Sequence, residues 1–274
     1  MVRTRRSARE DANKLIMGIG ALVLALMVVV AVGLLVWNVS RSKIRLDAQT
    51  QCPLDGPRSI TTVVIDRTDP ISKITERDLR NRLDELTRSV PRYGALYLYT
   101  IDGGHEGVGD PLFFRCNPGD QSTANALVDS TGKIQKNFEA TFAKPLDAVM
   151  GDLLRVKTAP RSPIMEAVQA VAVDDFSSKA APAADPRRLI VVSDFMQNSD
   201  RVSFYGGGKG DRLRAPEVLN APLTGVEVSL LFIQRPDRGG PSAEDLRSVW
   251  RDYFIESGVA SPRVMAIKLT GANP

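Results

Sequence analysis

The side chains in this chain best suited to chemistry are oxygen donors, and they fall at three places. Asp66 and Thr68 follow the β-branched run ITTVVI at residues 60–65, Ser162 stands in RSPIMEAV, and Asp194 follows RLIVVS at residues 188–193. Two carboxylates and two hydroxyls, completed by water, form a hard donor set that suits octahedral Mg²⁺ or Mn²⁺ and not zinc or copper. Each residue also has a plain structural use. Asp66 can order the turn after a strand, Ser162 can cap a helix, and Asp194 can face the start of the next helix. Their joint placement at strand ends and helix starts is what points to a site.

Other chemistry is poorly supported. His105, the one histidine, lies in a glycine-rich segment with no evident nucleophile beside it, which argues against Ser–His or Cys–His catalysis. The GGGKG run at 206–210 lacks the spacing of a phosphate-binding loop and reads as a surface loop. Glu166 could act as a base, yet its place in the helical pattern reads as an exposed carboxylate. The basic residues between Arg201 and Arg214 are interrupted by Asp211 and read as a solvated loop. Cys52 and Cys116 are either a disulfide closing a loop of about 64 residues or two unrelated thiols, and export of the domain favours the bond.

The elements that must hold the oxygen donors alternate between strand and helix. Residues 60–65, 95–101, 188–193, 226–233 and 264–268 read as strands, the one at 188–193 with the nearly continuous apolar character of a strand covered on both faces. Between them Thr75 with Asp78 predicts a capping box for a helix carrying Leu79, Leu83, Leu86 and Val90. A second helical stretch spans 133–154 with an interruption at Pro145. A third opens at Ser162, with Pro163 at its first position and Ile164, Val168 and Val171 on one face, and a fourth spans 243–256. The apolar segment 111–114 is left between elements, with Cys116 in the loop after it. This rhythm predicts an α/β fold, a doubly wound and mainly parallel sheet with helices on both faces, whose ligands gather at the carboxyl ends of the strands.

In element order and motif order, most of residues 60–268 resembles the von Willebrand factor A-like family. The family's metal-ion-dependent adhesion site uses Asp-x-Ser/Thr-x-Ser after the first strand, a Thr in a later loop and an Asp after the fourth strand. The resemblance places Asp66, Thr68 and Asp194 on metal-ligand positions, with Ser162 supplying the hydroxyl in place of the usual Thr. Pro70 departs from the pattern: it stands where the family has a second hydroxyl, and water, Asp69 or Ser72 would have to substitute. The resemblance implies a Mg²⁺ or Mn²⁺ cofactor and a protein partner that presents an acidic residue.

Ahead of this domain, residues 15–37 contain no charged side chain and no Asn or Gln. As a helix those 23 residues reach about 35 Å, enough to cross a bilayer, and the run is too long for a signal-peptide core. Five basic residues precede it (Arg3, Arg5, Arg6, Arg9 and Lys14) and three follow closely (Arg41, Lys43 and Arg45), which orients the N-terminus inside. Ala21 and Ala25 form a small-xxx-small pair of the kind that can bring two anchors together.

The expected organisation is a cytoplasmic basic segment at 1–14, an anchor at 15–37, a tether at 38–58 and the α/β domain at 59–274, periplasmic or extracellular. Of the net charge of +4, the first 14 residues hold +3, so the basic balance is a topology signal and gives no support to a nucleic-acid partner. These readings converge on a non-enzymatic, membrane-anchored recognition domain. The alternatives are a metal-free scaffold subunit of a membrane complex and a metal-dependent periplasmic hydrolase, the last lacking a convincing general base.

Overall fold

The computed structural model describes residues 4–41, 44–104, 107–123, 130–153, 155, 157–176, 184–205, 215–233 and 240–269. His105 and residues 206–214 lie outside these, as does most of the Ala- and Pro-rich stretch at 179–186. The chain forms two compact units, Met1–Arg45 and Leu46–Pro274.

Among its described residues the first unit holds one helix, α1 (Thr4–Arg41). Its segment 17–34 is long and apolar enough to cross a membrane, and every side chain of that segment is exposed. A helix with an apolar surface all round has no aqueous face to offer, which is the composition a bilayer requires.

In the second unit the chain runs β1 (Ile60–Asp66), α2 (Lys73–Ser89), β2 (Ala95–Ile101), β3 (Phe113–Cys116), α3 (Thr131–Phe138), α4 (Lys144–Leu153), α5 (Ile164–Asp174), β4 (Arg187–Ser193), β5 (Val226–Phe232), α6 (Ala243–Glu256) and β6 (Val264–Lys268). The strands make one sheet in the order β3-β2-β1-β4-β5-β6, parallel except for β3. This is the doubly wound α/β architecture. Chain progression reverses between β1 and β4, so the carboxyl ends of those two strands flank the crevice where such sheets place their ligands.

Period-two alternation divides the core into two layers. On β1, Ile60 and Val64 pack beneath α5 and α6 with Leu189 and Val191 of β4, Val168 and Val171 of α5, and Trp250 and Phe254 of α6. Val63 and Ile65 face the other way, onto Leu79 and Leu83 of α2 and Leu146, Met150 and Leu153 of α4. Burial on both faces explains the near-continuous apolar runs of β1 and β4.

Several local expectations need correction. Helix α2 begins three residues earlier than the Thr75/Asp78 box implies. Ser72 is its N-cap and accepts from the Thr75 amide, while the Thr75 side chain turns inward and is buried. The interruption near Pro145 is a π-helical turn, Glu139–Ala143, between α3 and α4. Pro145 has no N–H for the helical ladder, and a wider turn just before it lets the chain continue instead of breaking. The segment 111–114 leads into β3, so Cys116 ends an antiparallel strand and does not sit in a loop. Its sulfur is bonded to Cys52, with the two Cα atoms 4.7 Å apart.

Helix α5 ends on a buried carboxylate. Asp175 is 2% exposed and accepts hydrogen bonds from Thr62 Oγ1 at 2.7 Å and Tyr99 Oη at 3.0 Å. Burial pushes its pKa up to about 6, against the lowering effect of those two bonds, and the neighbouring Asp174 adds to the rise. Because the folded pKa lies above the unfolded one, the native state binds more protons between about pH 4 and pH 6, and this group's contribution to stability falls as pH rises. Asp175→Asn is therefore expected to be near neutral at pH 4 and to stabilise by about 3 kcal/mol at pH 7. Thermal unfolding of both proteins across that range checks it, and a pH-independent difference contradicts it.

Candidate metal centre

Asp66 is the last residue of β1 and shares its sheet face with Ile60 and Val64, so its carboxylate points toward the α5 side. It is 2% exposed and accepts four hydrogen bonds. Oδ1 takes the Thr68 amide at 3.0 Å and the Thr68 hydroxyl at 2.7 Å. Oδ2 takes the Ser162 hydroxyl at 2.8 Å and the Ser193 hydroxyl at 2.7 Å. Residues 96 and 127 positions away in sequence thus converge on one carboxylate.

The backbone around the cluster is pinned from several sides. Lys157 N and Ala159 N donate to the carbonyls of Arg67 and Thr68, laying the segment before Ser162 along the turn after β1. Ser162 and Asn198 exchange backbone hydrogen bonds at 2.9 Å each way, which ties the start of α5 to the loop after β4. Gly103, with φ +73°, packs against Ala159 and the Arg161 carbonyl where a Cβ would stand 2.5 Å from the Ala159 side chain. Only glycine combines that backbone with that approach.

The turn after β4 is held in a costly conformation. Phe195 has φ +62°, a region a bulky residue rarely enters. Its amide donates to Ser193 Oγ at 2.9 Å and its carbonyl accepts from Trp250 Nε1 at 2.9 Å, while its ring contacts those of Phe232 and Trp250. This reverse turn leaves Asp194 half-buried, with Oδ1 accepting from the Met196 amide at 3.1 Å.

Ser162 behaves differently from its expected role. It is not the helix cap: its hydroxyl goes to Asp66, and α5 has no side-chain cap of its own at that position. The free amide of Met165 in the first turn is taken instead by Gln197 Oε1 at 2.9 Å. Glu166 is not exposed either. It is 7% exposed, with Oε2 accepting from Gln197 Nε2 at 2.8 Å. The helical pattern missed this because β4 and the loop after it cover the first turn of α5.

Beside the cluster, Asp102 at the end of β2 accepts from Lys157 Nζ at 2.8 Å and lies 3.4 Å from Arg67 Nη2. The Lys157 hydrogen bond holds its pKa down to about 2. These cations pair with Asp102 and not with Asp66, and no Lys or Arg among the described residues makes a salt bridge to Asp66.

No family model matches this chain, and no curated protein matches it. Among solved structures, it is similar to a conserved hypothetical protein BatB from Bacteroides thetaiotaomicron at 11% identity and a TM-score of 0.38, over 77% of this chain and 89% of that one. It is likewise similar to the SpRpn10 VWA domain at 10% identity and a TM-score of 0.38, over 78% and 89% of the two chains. Likeness of this degree carries no weight by itself. The architecture rests on the strand order and register above.

Of the expected ligand residues, the structure brings Asp66, Thr68 and Ser162 into direct hydrogen-bonding contact. Asp194 joins them through Ser193, whose Oγ lies 3.4 Å from Asp194 Oδ1. Ser193 is the residue that sequence reading missed. The alternation of β4 carries the signal: Leu189, Val191 and Ser193 share one face, which is the face Asp66 occupies on β1. A hydroxyl at that position, one residue before the noticed carboxylate, is the natural donor to Asp66.

The donor chemistry fits a hard divalent cation. Among the described residues no three His, Cys, Asp or Glu side chains gather at one point, so a cation here would depend on hydroxyl oxygens as well as carboxylates. The Thr68 and Ser162 hydroxyls spend their protons on Asp66 and keep their lone pairs for another partner.

Proposed function

We propose that residues 59–274 are a von Willebrand A-like recognition domain, anchored in the cytoplasmic membrane by α1 and displayed outside it, that binds a protein partner. One observation carries this reading: a buried carboxylate at the switch point of the sheet gathers three hydroxyls from three separate segments. A solely structural Asp at a strand end needs one or two local donors. Asp66 instead organises a long-range constellation of hard oxygens at the place where such sheets present their ligands.

Asp66, Thr68, Ser162 and Asp194 would hold Mg²⁺ or Mn²⁺, which when bound supplies an electrophilic position for a hard anionic donor such as a partner's Asp or Glu. The chain's own part is orientation. Asp66 fixes the three hydroxyls, Phe195 and Trp250 fix the turn that carries Asp194, and Gly103 lets the Ser162 segment approach.

A second reading is favoured by Pro70 and by the saturation of Asp66 with internal donors: the same domain as a metal-free scaffold subunit of a membrane complex. Crosslinking in native membranes, followed by mass spectrometry, separates the two. The metal-bridged reading expects the captured partner to fall at least about tenfold on chelation or in Asp194→Ala. Undiminished capture in both arms supports the scaffold.

A further inference from the structure

The two edges of the sheet are treated differently. At β3 the chain covers its own edge: Cys116 N donates to the Thr50 carbonyl at 2.8 Å, Arg115 reaches the Gln49 carbonyl, and Cys52 is bonded to Cys116. At β6 protection is sparse among the described residues: the strand is short and ends on Lys268, and nothing else blunts it. Its sequence, VMAIK, has no proline and one charge, at its last residue. Met265 and Ala266 are exposed, and Val264 and Ile267 are only half-buried. Proteins ordinarily blunt such an edge with charge, proline or a bulge, because it templates further pairing.

The register says what can pair there. Leu269 N donates to the Phe232 carbonyl, so by two-residue alternation Met265 and Ile267 turn their N–H and C=O groups toward β5. Those of Ala266 and Lys268 turn outward, and among the described residues nothing hydrogen-bonds these two outward amides. An antiparallel strand centred on Ala266 meets this pattern, because Ala266 then exchanges both its bonds with its own counterpart.

We infer that β6 is a self-association edge, at which two copies of this chain join their sheets antiparallel about a two-fold axis through Ala266. In that register Met265 faces Ile267 of the second copy on one side of the sheet, and Val264 faces Lys268 on the other. Apolar cross-strand pairs are the favourable ones, and no like charges stand opposite each other. The two Lys268 side chains lie four residues apart along the ladder, about 14 Å, beyond the screening length at physiological salt. The same strand paired in parallel with its copy would set Lys268 beside Lys268. Five paired residues make a small interface, so the association is weak in dilute solution. This inference stands apart from the Asp66 site and holds whether or not that site binds metal.

Cysteine crosslinking of the full chain in the membranes of expressing cells tests it. Across the proposed axis the Ala266 Cα atoms lie about 5.5 Å apart, within disulfide reach. Two Met265 Cα atoms lie about 8 Å apart, outside it. After mild oxidation, Ala266→Cys should run as a reducible dimer, and Met265→Cys alone should give at least about tenfold less. Co-expressed Met265→Cys and Ile267→Cys should restore it. Equal dimer at 265 and 266, no dimer from Ala266→Cys, or a crosslink only to a different protein each overturns the proposal. All three positions are exposed or half-buried, and matched expression with an intact Cys52–Cys116 bond shows that the variants fold.

Discussion

The paired replacement Cys52→Ser and Cys116→Ser is expected to cost about 4 kcal/mol, from the loop-closure entropy returned to an unfolded chain whose cross-linked residues are 64 apart. The loss falls on a particular place. Cys52 lies in the segment that covers the β3 edge, and with the bond gone that edge is held by the Thr50 and Gln49 hydrogen bonds and the small apolar cluster around residue 52. Hydrogen bonds at a sheet edge contribute about 1 kcal/mol each, too little to replace the covalent link. The expected signature is a fall in melting temperature of roughly 8–16 °C, with wild-type protein under reducing conditions approaching the variant. An unchanged melting temperature would mean that the bond adds nothing to the stability of the fold.

Asp66→Ala is expected to destabilise the domain by about 3 kcal/mol. Two effects oppose each other. Removing a buried carboxylate relieves its desolvation. Against that, the substitution strands the Thr68 amide and three hydroxyls in a buried site, and hydrogen bonds to a charged acceptor are the strong kind, about 1.5–3 kcal/mol each. Four bonds against one desolvated group decides the sign. Asp66→Asn should fall between, because its amide oxygen can still accept from two of the donors. Denaturant unfolding gives the comparison, and a neutral Asp66→Ala would mean that the hydroxyls find other acceptors and the cluster is not organised by this residue.

Much of the fold was legible because burial on both faces writes itself plainly. The runs at 60–65, 95–101 and 188–193 are dominated by apolar and β-branched residues, and the helix expected at 243–256 is α6. What escaped was decided by tertiary contacts. Strand β3 is short and antiparallel and carries Arg115 in its middle, so nothing in its own residues separates it from a loop. Ser162 has the residue type and position of an N-cap, yet a buried carboxylate 96 residues earlier takes its hydroxyl, and Gln197 does the capping. Glu166 looks like a solvated helical residue until the loop after β4 covers it. Local propensity describes what a residue does without competition, and in each of these cases a distant partner competes.

The candidate site shows the same division. Asp66, Thr68, Ser162 and Asp194 could be picked out by type and position. That Ser193 and not Asp194 touches Asp66 follows only from strand register: side chains alternate, and the two strands bring the same face together at their carboxyl ends.

The most direct measurement is a calorimetric titration of the full-length protein in detergent with Mg²⁺ and with Mn²⁺, alongside Asp194→Ala. The metal-bridged reading predicts a saturable heat for the wild type and an affinity at least about tenfold weaker for the variant. A flat trace for a folded wild type with both ions would contradict it.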